Sequence, residues 1–338
     1  MKECLRRLHN LSALIGSTPL LAIEYHFRGR ERTIYAKAEY LSMTGSIKDR
    51  MASIILREGY RRGELQPGGR IIEVSSGNTG ISFAAIGSVL DHPVTIFIPD
   101  WVSRERSLLL GGLGAELIFF SREEGGFAGA LERAEQLVRD HDNAFLANQF
   151  SNPDNIRAHY ETTGPEILQQ LEALSLYPDG FVAGVGTGGS VMGIGCFLQE
   201  RIPGVAIHPL EPASAPLSPY PDQNGTHRIE GLSDGLLPPV LDREGLAEMV
   251  SVEDGDAIVM AQKLAAEVGL GVGISSGANF LGAVKVQEEM ADDGVVVTLF
   301  ADDNKKYLST DLFKQEPVRE EYLSPHISLS GLRAFAVD

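Results

Sequence analysis

The residues of this 338-residue chain best equipped for chemistry are one lysine and three glycine-rich turns. Lys48 lies in TGSIKDR, Thr44 to Arg50, between a Gly-Ser turn and a run whose apolar positions Ile47, Met51, Ile54 and Ile55 recur at helical spacing. That pattern places it in the first turn of a helix, where the macrodipole disfavours a cation. A lysine held there tends to lose its proton, as a nucleophilic or Schiff-base amine must. The same residues also suit a solvated surface lysine, the commoner meaning of Lys beside Asp and Arg.

The three turns are Ser75 to Gly80 (SSGNTG), Gly186 to Ser190 (GTGGS) and Ile274 to Gly277. Each follows a run that reads as a strand and opens one that reads as a helix. In open parallel sheets, ligands bind beyond the carboxyl ends of strands, where helix N-termini present free N–H groups, so such turns are anion sites. GTGGS lets a phosphate approach closely, with Thr187 and Ser190 adding hydroxyls. Glycines that merely permit tight turns are an equal alternative for any one of them. A nicotinamide reading is also available: Gly184, Gly186 and Gly189 satisfy GxGxxG, and Glu211 ends the next strand near the distance of a ribose-binding acid. It leaves Lys48, SSGNTG and SSGA without a role.

The elements that must position these residues alternate between strand and helix. Strands are expected at Thr33–Ala38, Arg70–Val74, Val94–Ile98, Glu116–Phe120, Ala144–Ala147, Phe181–Val185, Val205–Glu211 and Val295–Ala301. Helices are expected at Ile81–Leu90, Arg104–Leu110, Gly126–Arg139, Pro153–Leu171, Ser190–Gln199, Asp254–Val268 and Ala278–Met290. The fold class is therefore α/β with parallel sheets and right-handed crossovers. Pro212 to Pro239 has no period and reads as a long loop, functional or mobile. The tail beyond Thr310 is expected to lie on the surface or on a partner subunit.

Composition excludes several classes. With 43% hydrophobic and 22% charged residues, no run spans a bilayer, and the N-terminus does not read as a signal peptide, so a cytoplasmic protein is expected. Cys4 and Cys196 form no CxxC and the eight histidines no HxxxH, so neither a disulfide framework nor a metal site is expected. A net charge of −17 argues against nucleic acid and anionic membranes as partners.

Together, IGSTPL (15 to 20), TGSIKDR, SSGNTG, GVGTGG (184 to 189), GISSGA (273 to 278), TTGPEI (162 to 167) and KYLST (306 to 310) resemble the cysteine synthase and cystathionine β-synthase family. These are pyridoxal phosphate enzymes of the tryptophan synthase β fold type. The resemblance implies two α/β domains, each a mostly parallel sheet flanked by helices, with the cofactor in the cleft. Residues 1–41 with 152–310 would form the large domain, 42–151 a smaller mobile one, and 311–338 a tail. Lys48 would hold pyridoxal phosphate as a Schiff base and act as catalytic base. Gly186, Thr187, Gly188, Gly189 and Ser190 would cup its phosphate, Asn78 would meet the ring hydroxyl and Ser275 the ring nitrogen. Ser75, Ser76, Thr79 and Gln149 would clasp the substrate carboxylate.

The implied reaction is β-replacement on an O-activated L-serine by sulfide or another thiol, through an aminoacrylate, in a homodimer. Two departures bear on the substrate. Ser42 and Met43 replace the Asn-Pro of many members, with a packing substitution the simpler reading. Asp234, in IEGLSDGLLP, stands where small residues are usual; it is either a turn residue or a catalytic carboxylate that admits water, which would make a cysteine desulfhydrase. Arg228 and His227 are candidates to meet a phosphorylated donor.

Overall fold

The structure is a computed structural model that describes residues 1–218, 225–233, 237–291 and 294–336. In chain order, α1 (Lys2–Asn10) leads to the hairpin β1 (Leu20–Phe27) and β2 (Arg30–Ala38). Then follow α2 (Lys48–Arg62), β3 (Arg70–Val74), α3 (Asn78–Val89), β4 (Val94–Pro99), α4 (Arg104–Gly112), β5 (Glu116–Phe120), α5 (Gly126–Arg139) and β6 (Ala144–Leu146). After α6 (Asp154–Ala158) and α7 (Gly164–Ala173) come β7 (Gly180–Gly184), α8 (Gly189–Arg201), β8 (Ala206–Pro212) and β9 (Val250–Val252). The chain ends with α9 (Asp254–Val268), α10 (Ile274–Glu288), β10 (Val296–Phe300) and β11 (Ser328–Phe335).

Among the described residues these strands make two sheets, a seven-stranded one ordered β11-β1-β2-β10-β7-β8-β9 and a four-stranded one ordered β5-β4-β3-β6. The smaller sheet is parallel throughout. The larger is parallel from β2 to β9, with β1 antiparallel to both β2 and β11. Central strands β4 and β10 are almost continuously apolar because both faces are covered. On the larger sheet, α9 and α10 bury one face with Leu264, Phe280 and Leu281, and α7 and α8 bury the other with Leu171, Ile194 and Leu198. The smaller sheet lies between α2, α3 and α4 on one side and α5 on the other.

Two segments depart from the sequence reading. The helix expected over Pro153–Leu171 is broken into α6, a π-helical turn at His159–Thr163, and α7. Pro165 has no N–H to continue the ladder, and the Thr162 hydroxyl donates to the Ala158 carbonyl at 2.6 Å, taking an acceptor the helix needs. In the tail, where no strand was expected, β11 adds an edge strand to the larger sheet, with Leu20 opposite Phe335 and His26 opposite Ser328.

Candidate active site

Lys48 is the first residue of α2, and its helix is anchored from both sides. Before it, Ile47 N–H donates to Ala301 O at 2.9 Å, Ser46 bridges Asp302, and Lys306 Nζ donates to Gly45 O at 2.7 Å. After it, the Asp49 carboxylate accepts from Thr44 N–H and from the Ser82 hydroxyl, both at 2.7 Å. Arg50 is buried and spends its guanidinium on two carboxylates, Glu39 at 2.7 Å and Glu166 at 2.7 Å. Glu39 also accepts from the Thr18 hydroxyl at 2.6 Å, and Lys37 Nζ lies 2.8 Å from Glu166. Burial works against these charges, but the bonds from Arg50 and Lys37 override it and bring the Glu166 carboxyl down to about 2. This network joins IGSTPL through Thr18, TGSIKDR through Arg50 and TTGPEI through Glu166.

Lys48 keeps a strip of exposure along the cleft, yet its amine is surrounded closely enough to lose most of its water. That desolvation lowers its pKa to about 8, opposed among the described residues by the charge of Asp302. The outcome matches the expectation from the helix dipole, but burial is the main cause.

The glycine turn between β7 and α8 is tight because other chain crosses it. A Cβ on Gly186 would meet Gly231 O at 2.4 Å, and one on Gly189 would meet Asn155 Oδ1 at 2.0 Å. The first helical bond after the turn runs from Met192 N–H to Gly188 O, so the preceding amides have no intrahelical partners. Asn155 Nδ2 donates to Thr187 Oγ1 at 2.8 Å and to Gln149 O at 2.9 Å, connecting this turn to the substrate side.

In the turn that opens α3, Ser75 Oγ accepts from Gly77 and Gly80 N–H, each at 3.1 Å. Thr79 Oγ1 donates to Gln149 Oε1 at 2.6 Å, and Gln149 Nε2 donates to Val74 O at 3.0 Å. Ser75, Thr79 and Gln149 are thus brought together, already bonded within the turn. Ser76 is partly exposed, and its carbonyl accepts from Arg106 Nη1 at 3.0 Å. Ser275 is buried in the first turn of α10.

Sequence reasoning missed Asp302, Tyr307, Arg106 and Asn155. Asn78 Nδ2 donates to Asp302 Oδ2 at 2.7 Å, as does the Tyr307 hydroxyl at 2.7 Å. Arg106, buried on α4, lies 2.8 Å from Glu230 and stacks over the Tyr307 ring at 5.2 Å. The signal available for Asp302 was its place just beyond the carboxyl end of the buried strand β10.

Three further sequence candidates already have protein partners. Arg228 pairs with Asp311 at 3.0 Å and Glu316 at 2.7 Å, and His227 Nε2 lies 3.0 Å from Ser233 O. Glu211, the acid of the nicotinamide reading, accepts from Leu217 N–H at 2.7 Å and from the Ser251 hydroxyl at 3.0 Å. Ser42 is buried and Met43 packs into the core beside α2 and α3, in keeping with a packing substitution. Asp234 lies outside the described residues. Ser76, Trp101, Arg106 and Glu230 line a cavity of about 230 Å³ together with the phosphate-donor candidates His227 and Arg228. Among the described residues no helix is long and apolar enough to cross a membrane, and no group of His, Cys, Asp and Glu is arranged to hold a metal.

The donor set fits pyridoxal phosphate: amides at a glycine cradle for a phosphate, an activated amine for an aldehyde, and a hydroxyl and an amide for ring heteroatoms. Asn78 Oδ1, Asn155 Oδ1 and Asp302 Oδ1 are buried with no hydrogen-bond partner among the described residues, as expected of groups arranged around a polar guest.

Comparison with known proteins agrees. Residues 11–302 match the model of the pyridoxal-phosphate dependent enzyme family, and the chain belongs to that family. It is a fold type II member of the cysteine synthase and cystathionine β-synthase group. It is 36% identical over 309 residues to a probable cysteine synthase of Bacillus subtilis (strain 168), covering 91% of this chain and 99% of that one. The crystal structure of a hydrogen sulfide-producing enzyme from Fusobacterium nucleatum is 48% identical, with a TM-score of 0.94, covering 98% of this chain and 99% of that one. An aspartate-to-asparagine variant of that enzyme, in complex with an α-aminoacrylate intermediate, is 47% identical with a TM-score of 0.93, covering 97% of this chain and 99% of that one.

Proposed function

We propose that this pyridoxal phosphate enzyme catalyses β-replacement on an O-activated L-serine, such as O-acetylserine or O-phosphoserine, with sulfide or another thiol, forming L-cysteine or a close analogue. The observation that carries the reading is the Lys48 amine, its pKa lowered to about 8, at the junction of α2, α3 and the end of β10. Lys48, Asn78, Ser275 and the turn Gly186, Thr187, Gly188, Gly189 and Ser190 hold the cofactor. Bound pyridoxal phosphate supplies an electron sink that acidifies the Cα proton of an amino acid.

Lys48 Nζ takes that Cα proton and returns it after the thiol has added at Cβ. Ser275 offers a hydroxyl rather than a carboxylate to the ring nitrogen, which keeps the sink modest and favours loss of the β-substituent over transamination. Ser75, Ser76, Thr79 and Gln149 receive the substrate carboxylate at the N-terminus of α3, where free amides favour an anion. Closure of the smaller unit, residues 42–151, over the substrate excludes water. The working form is a cytoplasmic homodimer, which light scattering of the purified enzyme tests.

A second reading uses the same residues with cysteine as donor and water as nucleophile, releasing sulfide and leaving serine. The high identity to a hydrogen sulfide-producing enzyme favours it, and Asp234 is its candidate for handling the water. One experiment separates the two: incubate the yellow enzyme with O-acetylserine, O-phosphoserine or cysteine, each with and without sulfide, and identify products by mass spectrometry. Cysteine formed only from an activated serine with sulfide supports β-replacement. Sulfide and serine from cysteine alone move the assignment to the second reading, and a Lys48→Ala protein that retains turnover defeats both.

A further inference from the structure

Asp302 is a buried carboxyl group that neither reading assigns, and it touches the groups expected to meet the cofactor. It follows β10 and forms a bridge with Ser46, two residues before Lys48. Its Oδ2 accepts from Asn78 Nδ2 and from the Tyr307 hydroxyl, each at 2.7 Å. Its Oδ1 is buried with no hydrogen-bond partner among the described residues, and a Cβ on Gly273 would meet that oxygen at 2.1 Å. The carboxyl therefore lies against the start of α10, two residues before Ser275, and depends on the missing side chain at 273.

We propose that Asp302 is a positioning residue of the cofactor site, fixing the amide of Asn78 with its N–H groups toward the cofactor and holding a proton on the Lys48 nitrogen through its charge. The inference rests on the pyridoxal phosphate reading and goes beyond it. An ionised carboxylate only accepts hydrogen bonds, so it dictates which end of the Asn78 amide faces it. One N–H of Nδ2 is spent on Asp302, and the second remains for the ring oxygen of the cofactor. With the amide flipped, Asn78 would present a carbonyl to Asp302 and leave both groups repelled.

Among the described residues, Asp302 is also the charge that acts on the Lys48 amine. The other groups facing Asp302 are Lys306 on its own segment, Arg106 from α4, Tyr307, and Glu230 from the loop opposite. Burial raises the Asp302 pKa, while Lys306, Asn78, Arg106 and Tyr307 favour its anion. A purely structural role, pinning the turn to Tyr307, would not need the same Oδ2 to accept from Asn78 as well.

The test compares wild-type holoenzyme with Asp302→Asn and Tyr307→Phe, recording visible cofactor absorbance against pH and cofactor retention on dialysis. In Asp302→Asn, the pH at which half the visible band is lost falls by at least about one unit, a tenfold loss of proton affinity, and more cofactor is lost. Tyr307→Phe removes the structural bond but keeps the carboxylate, so it moves the band's pH midpoint by much less than Asp302→Asn does. Asp302→Ser, which also removes the charge, carries the test if the asparagine variant does not fold. The same pH dependence in a folded, yellow charge-removed variant and in wild type overturns the proposal, as does an equal shift in Tyr307→Phe. A colourless wild type instead refutes the cofactor reading itself.

Discussion

Removing the Arg50 guanidinium, two residues after Lys48, should cost the fold several kcal/mol by an amount the structure sets in two ways. Arg50 and Glu39 have side chains 1% and 0% exposed, and Glu166 is 15% exposed. Arg50→Ala leaves Glu39 buried with Thr18 as its remaining bonded partner in this network, and breaking such a buried pair costs about 3–5 kcal/mol. Independently, Glu166 falls from 4.5 to about 2, and 2.5 units correspond to about 3.4 kcal/mol, shared between Arg50 and Lys37.

The two figures agree on about 3 kcal/mol, or roughly 4 °C in Tm for a chain this long. Because the folded pKa of Glu166 is depressed, its contribution is present above pH 4.5 and is lost as pH falls toward 2. Urea unfolding of wild type and Arg50→Ala across that range should show a gap that narrows with acid. A difference below about 1 kcal/mol at pH 7, or a gap that does not narrow, refutes the reasoning.

Other outcomes follow from single observations. The rate at which apoenzyme takes up pyridoxal phosphate should rise with pH about a midpoint near 8, set by the neutral form of Lys48, and stopped-flow absorbance showing a midpoint above 10 would contradict this. Gly189→Ala drives a methyl into Asn155 Oδ1, so equilibrium dialysis should show cofactor affinity at least tenfold weaker with the fold retained, and wild-type affinity would count against the cradle. Glu73, buried behind Gln149, has its pKa raised to about 8 by desolvation. An acid with a raised folded pKa makes stability fall as pH climbs from 4.5 toward 8, and Glu73→Gln should flatten that slope in urea titrations.

Much of this was legible in the sequence where local pattern decides structure. The bounds of β3, β5, α5 and α9 agree with the sequence reading because each is a short apolar strand or a helix with clear punctuation. Lys48 was found because it stands in a helix's first turn, and the three turns because glycine and serine mark strand-to-helix junctions. What escaped was set by distant chain. Asn155 matters because it meets Gly189 and Thr187, and Arg106 because it reaches Ser76 and Glu230. Desolvation of Lys48, the larger cause of its low pKa, exists only once β10 and α3 surround it. The break between α6 and α7 needed the hydroxyl competition of Thr162, which helical periodicity does not register.

The placement of Lys48 also bears on how a closing site keeps its geometry. The residues just before it are tied to the larger sheet through backbone groups: Ile47 N–H to Ala301 O, Asp303 N–H to Gly45 O, and the Ser46–Asp302 bridge. Contacts of the four-stranded unit with the same rim run through side chains: Ser103 to Lys306 O at 3.0 Å, Ser309 to Glu105 at 2.7 Å, and Arg106 to Glu230 at 2.8 Å. An exposed side-chain bond such as Ser309 to Glu105 exchanges readily with water, whereas a backbone ladder constrains the chain itself. On the proposed reading, closure within residues 42–151 is carried by the α3 and α4 side, which breaks the second set first while the backbone ties keep the lysine at the end of β10. In the proposed reaction the turn assigned to the substrate carboxylate then opens and closes over a stationary amine, so that substrate enters without displacing the group proposed to take its proton.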